Sequence, residues 1–95
     1  MTFAQRIREL RRGKGWSVYD LAGKIGVQSP GYISKIEARG EIPSPEMVIK
    51  LAEALGANLE ELVALAKHQK AEELRESVHR KYDDAFALHR RAKRG

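Results

Sequence analysis

The 95-residue sequence contains no cysteine. Disulfides, thiolate chemistry and cysteine-ligated zinc are therefore excluded, and the composition fits a reducing compartment such as the cytoplasm. No apolar run approaches the roughly 18 residues that suggest a membrane-spanning helix. The opening MTFAQRIRELRRGKG lacks the continuous apolar stretch of a secretory signal. A cytoplasmic chain with no membrane partner is expected. Period-two alternation of useful length is also missing, which leaves no candidate strand. There is no internal repeat and no low-complexity segment. The three histidines, His68, His79 and His89, lie 11 and 10 residues apart instead of at i, i+4, so no metal site is expected. Paired carboxylates, a Ser/His/Asp set and a phosphate loop are all wanting. Neither an enzyme nor a bound cofactor is expected.

What the sequence does have is charge, and its distribution is uneven. The formal net charge is +5. Residues 1–66 carry nine Lys or Arg against eight Asp or Glu, whereas residues 67–95 carry nine against five. A basic excess favours polyanionic partners but says nothing of fold.

It also has helix punctuation. Thr2 with Gln5 forms a capping box ahead of the stripe Phe3, Ile7, Leu10. Gly13 and Gly15 end that helix. Trp16 is read as a core plug. Ser17 caps a second helix, with Asp20 as the short partner of a capping box and Leu21, Ala22 and Ile25 facing inward. Gly26 stops it. Ser29-Pro30 opens a third helix, about 30–38, because Ser caps and Pro fits the first helical position. Ser44-Pro45 repeats the device for a fourth helix lined by Met47, Val48, Leu51, Ala52 and Leu55. Asn58 caps a fifth, with Glu61 at its third position. The expectation is an all-α fold of five helices of about 8 to 12 residues within 66 positions, followed by a C-terminal helix.

The third helix has an unusual surface. Ile33 and Ile36 share one face. At about 100° per residue the opposite face is Gly31, Ser34, Lys35 and Ala38. Three of those four are small, although solvent-facing helix positions favour long polar residues. Two short helices locked at an angle by Leu21, Ile25, Val27, Ile33 and Ile36 form the helix-turn-helix layout, whose second helix enters the DNA major groove. Small residues then let the backbone approach, and N–H groups at the helix start can bind phosphate. Lys35 is the long donor for a guanine edge or a phosphate. Gln28 and Ser29 stand at the leading end. Tyr32 flanks the face, and Arg39 lies within reach of phosphate. Arg12, Lys14 and Lys24 are read as solubilising charges.

WSVYDLAGKIG, YISKIEARGEIPS and MVIKLAEALG resemble the Cro/phage-repressor type of helix-turn-helix domain, the xenobiotic-response-element-like (XRE) transcription regulators. The resemblance spans about residues 3–66. It implies a five-helix, lambda-repressor-like domain that binds double-stranded DNA as a homodimer on a palindromic operator. Matched backwards from Ile36, the family's base-reading positions fall on Ser29, Pro30, Gly31 and Lys35. Pro30 and Gly31 have no side-chain donors, so shape and backbone contacts are expected to carry much of the specificity. Val18 stands where members commonly have Gln. The phosphate contact of that position is then absent, or is made by Ser17, Tyr19 or a backbone N–H. One residue more than the common spacing separates Gly26 from Ile33. The resemblance also implies that Glu37 pairs with Arg11 as an internal brace.

From Leu59 to Arg94 there is neither Gly nor Pro. The fifth helix either runs on into the tail or bends at KHQK, residues 67–70. Ala71, Leu74, Val78, Lys81, Ala85, Leu88 and Ala92 follow a heptad seam, widened by Tyr82 and Phe86. Such a stripe must be covered. Residues 1–66 are read as the DNA-binding domain and 67–95 as a helical extension for dimerisation or partner binding through Leu74, Val78, Tyr82, Ala85, Phe86 and Leu88. Two rival readings are kept. One is an antitoxin-like autoregulator whose tail grips a partner protein; the other is an interaction module that has lost DNA binding.

Overall fold

The computed structural model describes the backbone of residues 1–94 and the side chains of residues 1–91. The side chain of the seam position Ala92 lies outside this description, as do those of Lys93 and Arg94 and the whole of Gly95 in the closing HRRAKRG segment. Five helices follow one another: α1 (Phe3–Gly13), α2 (Val18–Lys24), α3 (Gly31–Arg39), α4 (Pro45–Leu55) and α5 (Leu59–Arg94). The fold is all-α.

Four of the five helix starts, all but that of α3, are made by a short side chain that accepts an orphan N–H. Thr2 Oγ1 accepts from Gln5 N at 3.1 Å, and Gln5 Oε1 accepts from Thr2 N at 2.9 Å. Ser17 and Asp20 form the same reciprocal pair at 3.1 and 2.8 Å. Ser44 and Asn58 open α4 and α5 by accepting from Met47 N and Glu61 N. The start of α3 departs from the expected Ser29 cap. The helix begins one residue later than expected, and Pro30 takes the cap position with φ −64° and ψ −19°. Ser29 still contributes: its Oγ accepts from Gly31 N at 3.2 Å. The extra residue of this turn is thus absorbed as a turn of chain ahead of α3.

The core is the meeting point of the inner stripes. Phe3, Ile7, Leu21, Ile33, Ile36, Leu51 and Leu62 are fully buried, and Ala22, Ile25, Val48, Ala52, Leu55 and Ala66 complete the cluster. Trp16 packs against the core while half-buried, with the ammonium groups of Lys14 and Lys24 over its ring at 5.6 and 5.3 Å. The two lysines read as plain solubilising charges therefore make cation–π contacts.

The tail resolves the alternative left open at KHQK. α5 is a single 36-residue helix with no bend into a separate element. Its first two turns pack on α1 and α4, with an ion pair from Arg6 to Glu61 at 2.6 Å. Gln69 then donates from its side-chain amide to the Gly40 carbonyl, tying α5 to the end of α3. Past that bond no described residue is buried, and the molecule is elongated, 61 × 26 × 20 Å. One helix therefore acts both as the fifth helix of the domain and as the C-terminal helix.

Candidate nucleic-acid interface

The site is built on the α2–turn–α3 unit. Gly26 adopts φ +76°, a conformation that costs a residue with a Cβ. This lets Val27 N donate back to the Ala22 carbonyl at 3.0 Å and closes α2 sharply. Val27 is half-buried, and Leu21, Ile25, Ile33 and Ile36 are buried beneath the turn. The apolar faces of both helices are thereby fixed, and their outer faces can only point to solvent.

Gln28, Ser29, Gly31, Ser34, Lys35, Ala38 and Arg39 are all exposed, and Pro30 is half-buried. A continuous strip of small residues thus lies along α3, with Lys35 and Arg39 one turn apart as its cations. Tyr32 is half-buried against the core, and burial pushes its phenol up from the usual value.

Two of the N–H groups at the start of α3 are already used. Gly31 N donates to the Ser29 hydroxyl, and Tyr32 N donates to the Ser29 carbonyl at 3.2 Å. The start of α2 is similarly closed. The Ser17 hydroxyl and N–H are both spent on Asp20. The hydrogen bond from the Ser17 backbone holds the Asp20 carboxyl below its usual range, so the group stays ionised. A carboxylate there repels phosphate. Of the groups that could replace the missing Gln at Val18, the exposed Tyr19 hydroxyl has no partner among the described residues.

Beneath this surface Arg11 and Glu37 meet. Arg11 Nε lies 2.7 Å from Glu37 Oε2, and Arg11 Nη2 donates to Oε1 at 2.8 Å. The side chains are 11% and 3% exposed. Bonding to Glu37 raises the Arg11 pKa further, so the guanidinium is permanently charged. Arg11 Nη1 also donates to the Trp16 carbonyl at 2.7 Å, which anchors the α1–α2 loop. Arg8 was missed in the sequence. Its Nε reaches Glu37 Oε1 at 3.3 Å, and its Nη2 donates to the Glu37 carbonyl at 3.4 Å. The i, i+3 spacing of Arg8 and Arg11 was the available signal. α3 is thereby clamped to α1 by two arginines.

These features define a helix-turn-helix unit presenting an open, cation-bearing second helix. A family model described as Helix-turn-helix matches residues 7–62, and the chain belongs to that family, the Cro/phage-repressor or XRE type of DNA-binding transcription regulator. Over 78 residues it is 42% identical to the uncharacterized HTH-type transcriptional regulator RghRB of Bacillus subtilis (strain 168). That match covers 79% of this chain and 55% of RghRB, so the chain spans about half the length of that curated relative. Among solved structures it is similar to the N-terminal DNA binding domain of SinR from Bacillus subtilis, 34% identical over 64% of this chain and 88% of that one, with a TM-score of 0.58. The structure of SinR, master regulator for biofilm formation, in complex with DNA is 33% identical with a TM-score of 0.59. It covers 65% of this chain and 98% of that one. The SinR/SinI protein complex is 25% identical over 99% of this chain and 100% of that chain, with a TM-score of 0.60. Among the described residues no helix is long and apolar enough to cross a membrane.

Proposed function

We propose that this protein is a sequence-specific transcriptional repressor of the cytoplasm that binds a palindromic operator as a homodimer. Residues 1–66 serve as the DNA-binding domain, with residues 67–95 as the dimerisation element. The observation that carries the reading is the bare, solvent-facing strip of α3 held on a rigid support. Gly31, Ser34 and Ala38 bring the backbone to the groove floor. Lys35 reads a base edge or holds a phosphate, and Arg39 neutralises the flanking phosphate. Gln28, Ser29 and Pro30 meet the DNA at the leading end. Tyr19 and Tyr32 offer hydroxyls to the backbone, and Ser17 acts through the cap it makes. With so few side-chain donors, groove shape carries much of the specificity. A two-fold pair on half-sites about one helical turn or a multiple apart multiplies the few contacts of one head. Occupied in this way, the operator is closed to other proteins.

The test is selection of bound duplexes from a randomised pool at two salt concentrations, followed by sequencing. A palindromic motif whose binding weakens with salt by several phosphates supports the reading. An absence of enrichment overturns it in favour of an interaction module that has lost DNA binding.

A second reading keeps DNA binding and gives α5 to a partner protein, as in an antitoxin-like autoregulator. It is favoured by the exposed apolar stripe of α5 and by the full-length likeness to a SinR/SinI complex. Light scattering of the purified chain separates the two: a dimer favours self-association, and a monomer favours the partner.

A further inference from the structure

Five large apolar side chains stand in solvent on the distal part of α5: Leu74 (66% exposed), Val78 (41%), Tyr82 (63%), Phe86 (61%) and Leu88 (64%). We propose that they are covered by α5 of a second copy running antiparallel, with the two-fold axis at the level of residues 79 and 80. The proposal rests on the homodimer reading and gives it a geometry.

The arrangement of residues around the helix defines the buried face. At about 100° per residue, Leu88, Lys81, Leu74, Ala85, Val78, Ala71, His89, Tyr82, Arg75 and Phe86 fall within an arc of about 160°. Glu72, Glu73, Glu76, Asp83 and Asp84 all fall outside it. One side of α5 therefore carries no carboxylate along five turns.

Size selects the direction. An antiparallel pair sets Ala71 against Leu88, Leu74 against Ala85 and Val78 against Lys81 of the other copy. Every layer then combines a small or medium residue with a long one, and the interaxial distance stays constant, as close packing requires. A parallel pair in register would alternate Ala–Ala layers with Leu–Leu layers and leave gaps. The broader ridge Leu74, Val78, Tyr82, Phe86 gives the same answer. It matches itself when Leu74 meets Phe86 and Val78 meets Tyr82, which centres within half a residue of the first register.

Charge selects the same direction. A parallel pair would force Lys81 against Lys81 in its core and Lys70 against Arg75 at its edge. The antiparallel pair lays Lys81 over Val78 and lets its ammonium reach solvent. It also brings Arg75 beside the Tyr82 ring of the other copy, a cation–π contact made twice. The ten large apolar side chains of such a pair include four aromatics, each able to bury about 150–250 Å². That brings the pair to the roughly 1,000 Å² expected of a specific interface.

The geometry also bears on the DNA. Gln69 holds the C-terminal end of α3 to α5. At 1.5 Å per residue the two copies of Gln69 would stand about 32 Å apart along the shared axis, close to one turn of DNA at about 34–36 Å.

Because the chain has no cysteine, single thiols report the geometry on the full chain. Ala71→Cys mixed with Leu88→Cys is expected to give a disulfide-linked mixed dimer under mild oxidation. Ala85→Cys alone is expected to stay unlinked, because its two copies would be about 16 Å apart, beyond the 7 Å limit for bridging. Self-linked Ala85→Cys overturns the antiparallel geometry in favour of a parallel pair and leaves the homodimer standing. A dimer in light scattering with no cross-link in either experiment overturns the seam as the interface. A monomeric unsubstituted chain overturns the homodimer reading itself.

Discussion

Glu37 is the residue on which the support of α3 turns. Its carboxylate is buried, shared between Arg11 and Arg8, and reached from a different helix by both. Removing one partner of a buried pair costs about 3–5 kcal/mol because the other charge is stranded. Arg11→Ala should fall at the low end, about 3 kcal/mol, since Arg8 can still compensate part of the charge. Urea unfolding followed by circular dichroism measures it. Arg11→Met with Glu37→Leu should recover most of the loss, because a well-packed apolar pair replaces the ions at little net cost. The Arg11–Glu37 pairing was legible only through the family resemblance, and Arg8 was not read at all. Nothing in a helical stripe says which of two neighbouring arginines a buried acid on another helix will choose. The caps of the other four helices were legible directly, because Ser, Thr or Asn three residues ahead of a compatible N–H is a local arrangement. Asp20 extends that locality to pH. Its lowered pKa in the folded chain means that it stabilises the fold above the usual carboxylate range, and that this contribution is lost as pH falls through the folded value. The difference in urea midpoint between the unsubstituted chain and Asp20→Ala should therefore hold constant from neutral pH down to the usual carboxylate range, and narrow only as the pH falls below it.

At the scale of elements, the recognition unit combines a demanding turn with an undemanding surface. Gly26→Ala introduces a Cβ that meets no atom within 4 Å, so any cost comes from the left-handed backbone alone. About 1–2 kcal/mol is expected, read as a lower urea midpoint, while the folded fraction keeps its DNA affinity. Ala38→Leu is the opposite case. The position is exposed and is not part of the core cluster, so stability should change by less than about 0.5 kcal/mol. DNA affinity should drop at least tenfold, about 1.4 kcal/mol, because the added bulk holds the helix away from the groove. Unchanged affinity in a binding titration would remove the close-approach role of the small face. α3 itself was placed within one residue by its sequence. The deviation arose at Ser29-Pro30, where proline can occupy either the cap or the first helical position with the same φ. α5 was the least legible element. KHQK interrupts the apolar pattern, yet Gln69 uses that interruption to hydrogen-bond Gly40. A polar residue that serves as a tertiary anchor looks, in sequence, the same as one that ends a helix.

The whole molecule sets how strongly DNA binding responds to salt. The chain carries +5, but the excess resides mainly in residues 67–95, and the first 66 residues are nearly balanced. On the proposed face only Lys35 and Arg39 are long cations, and Asp20 opposes a phosphate at the start of α2. On the proposed reading a dimer neutralises about four phosphates through its heads. With a slope near −0.9 per phosphate, log affinity should fall with log salt at about −4. The measurement is a fluorescence titration of the selected operator across a salt series, at protein concentrations that keep the chain dimeric. Lys35→Ala should reduce the slope by about 2 in the dimer, and Arg39→Ala likewise if each holds one phosphate per head. Arg90→Gln with Arg91→Gln should leave it unchanged if, as proposed, the distal helix pairs with a second copy and not with DNA. A slope much steeper than −4 that relaxes when Arg90 and Arg91 are neutralised would mean that the tail lies along the duplex, and the basic excess would then belong to the DNA interface.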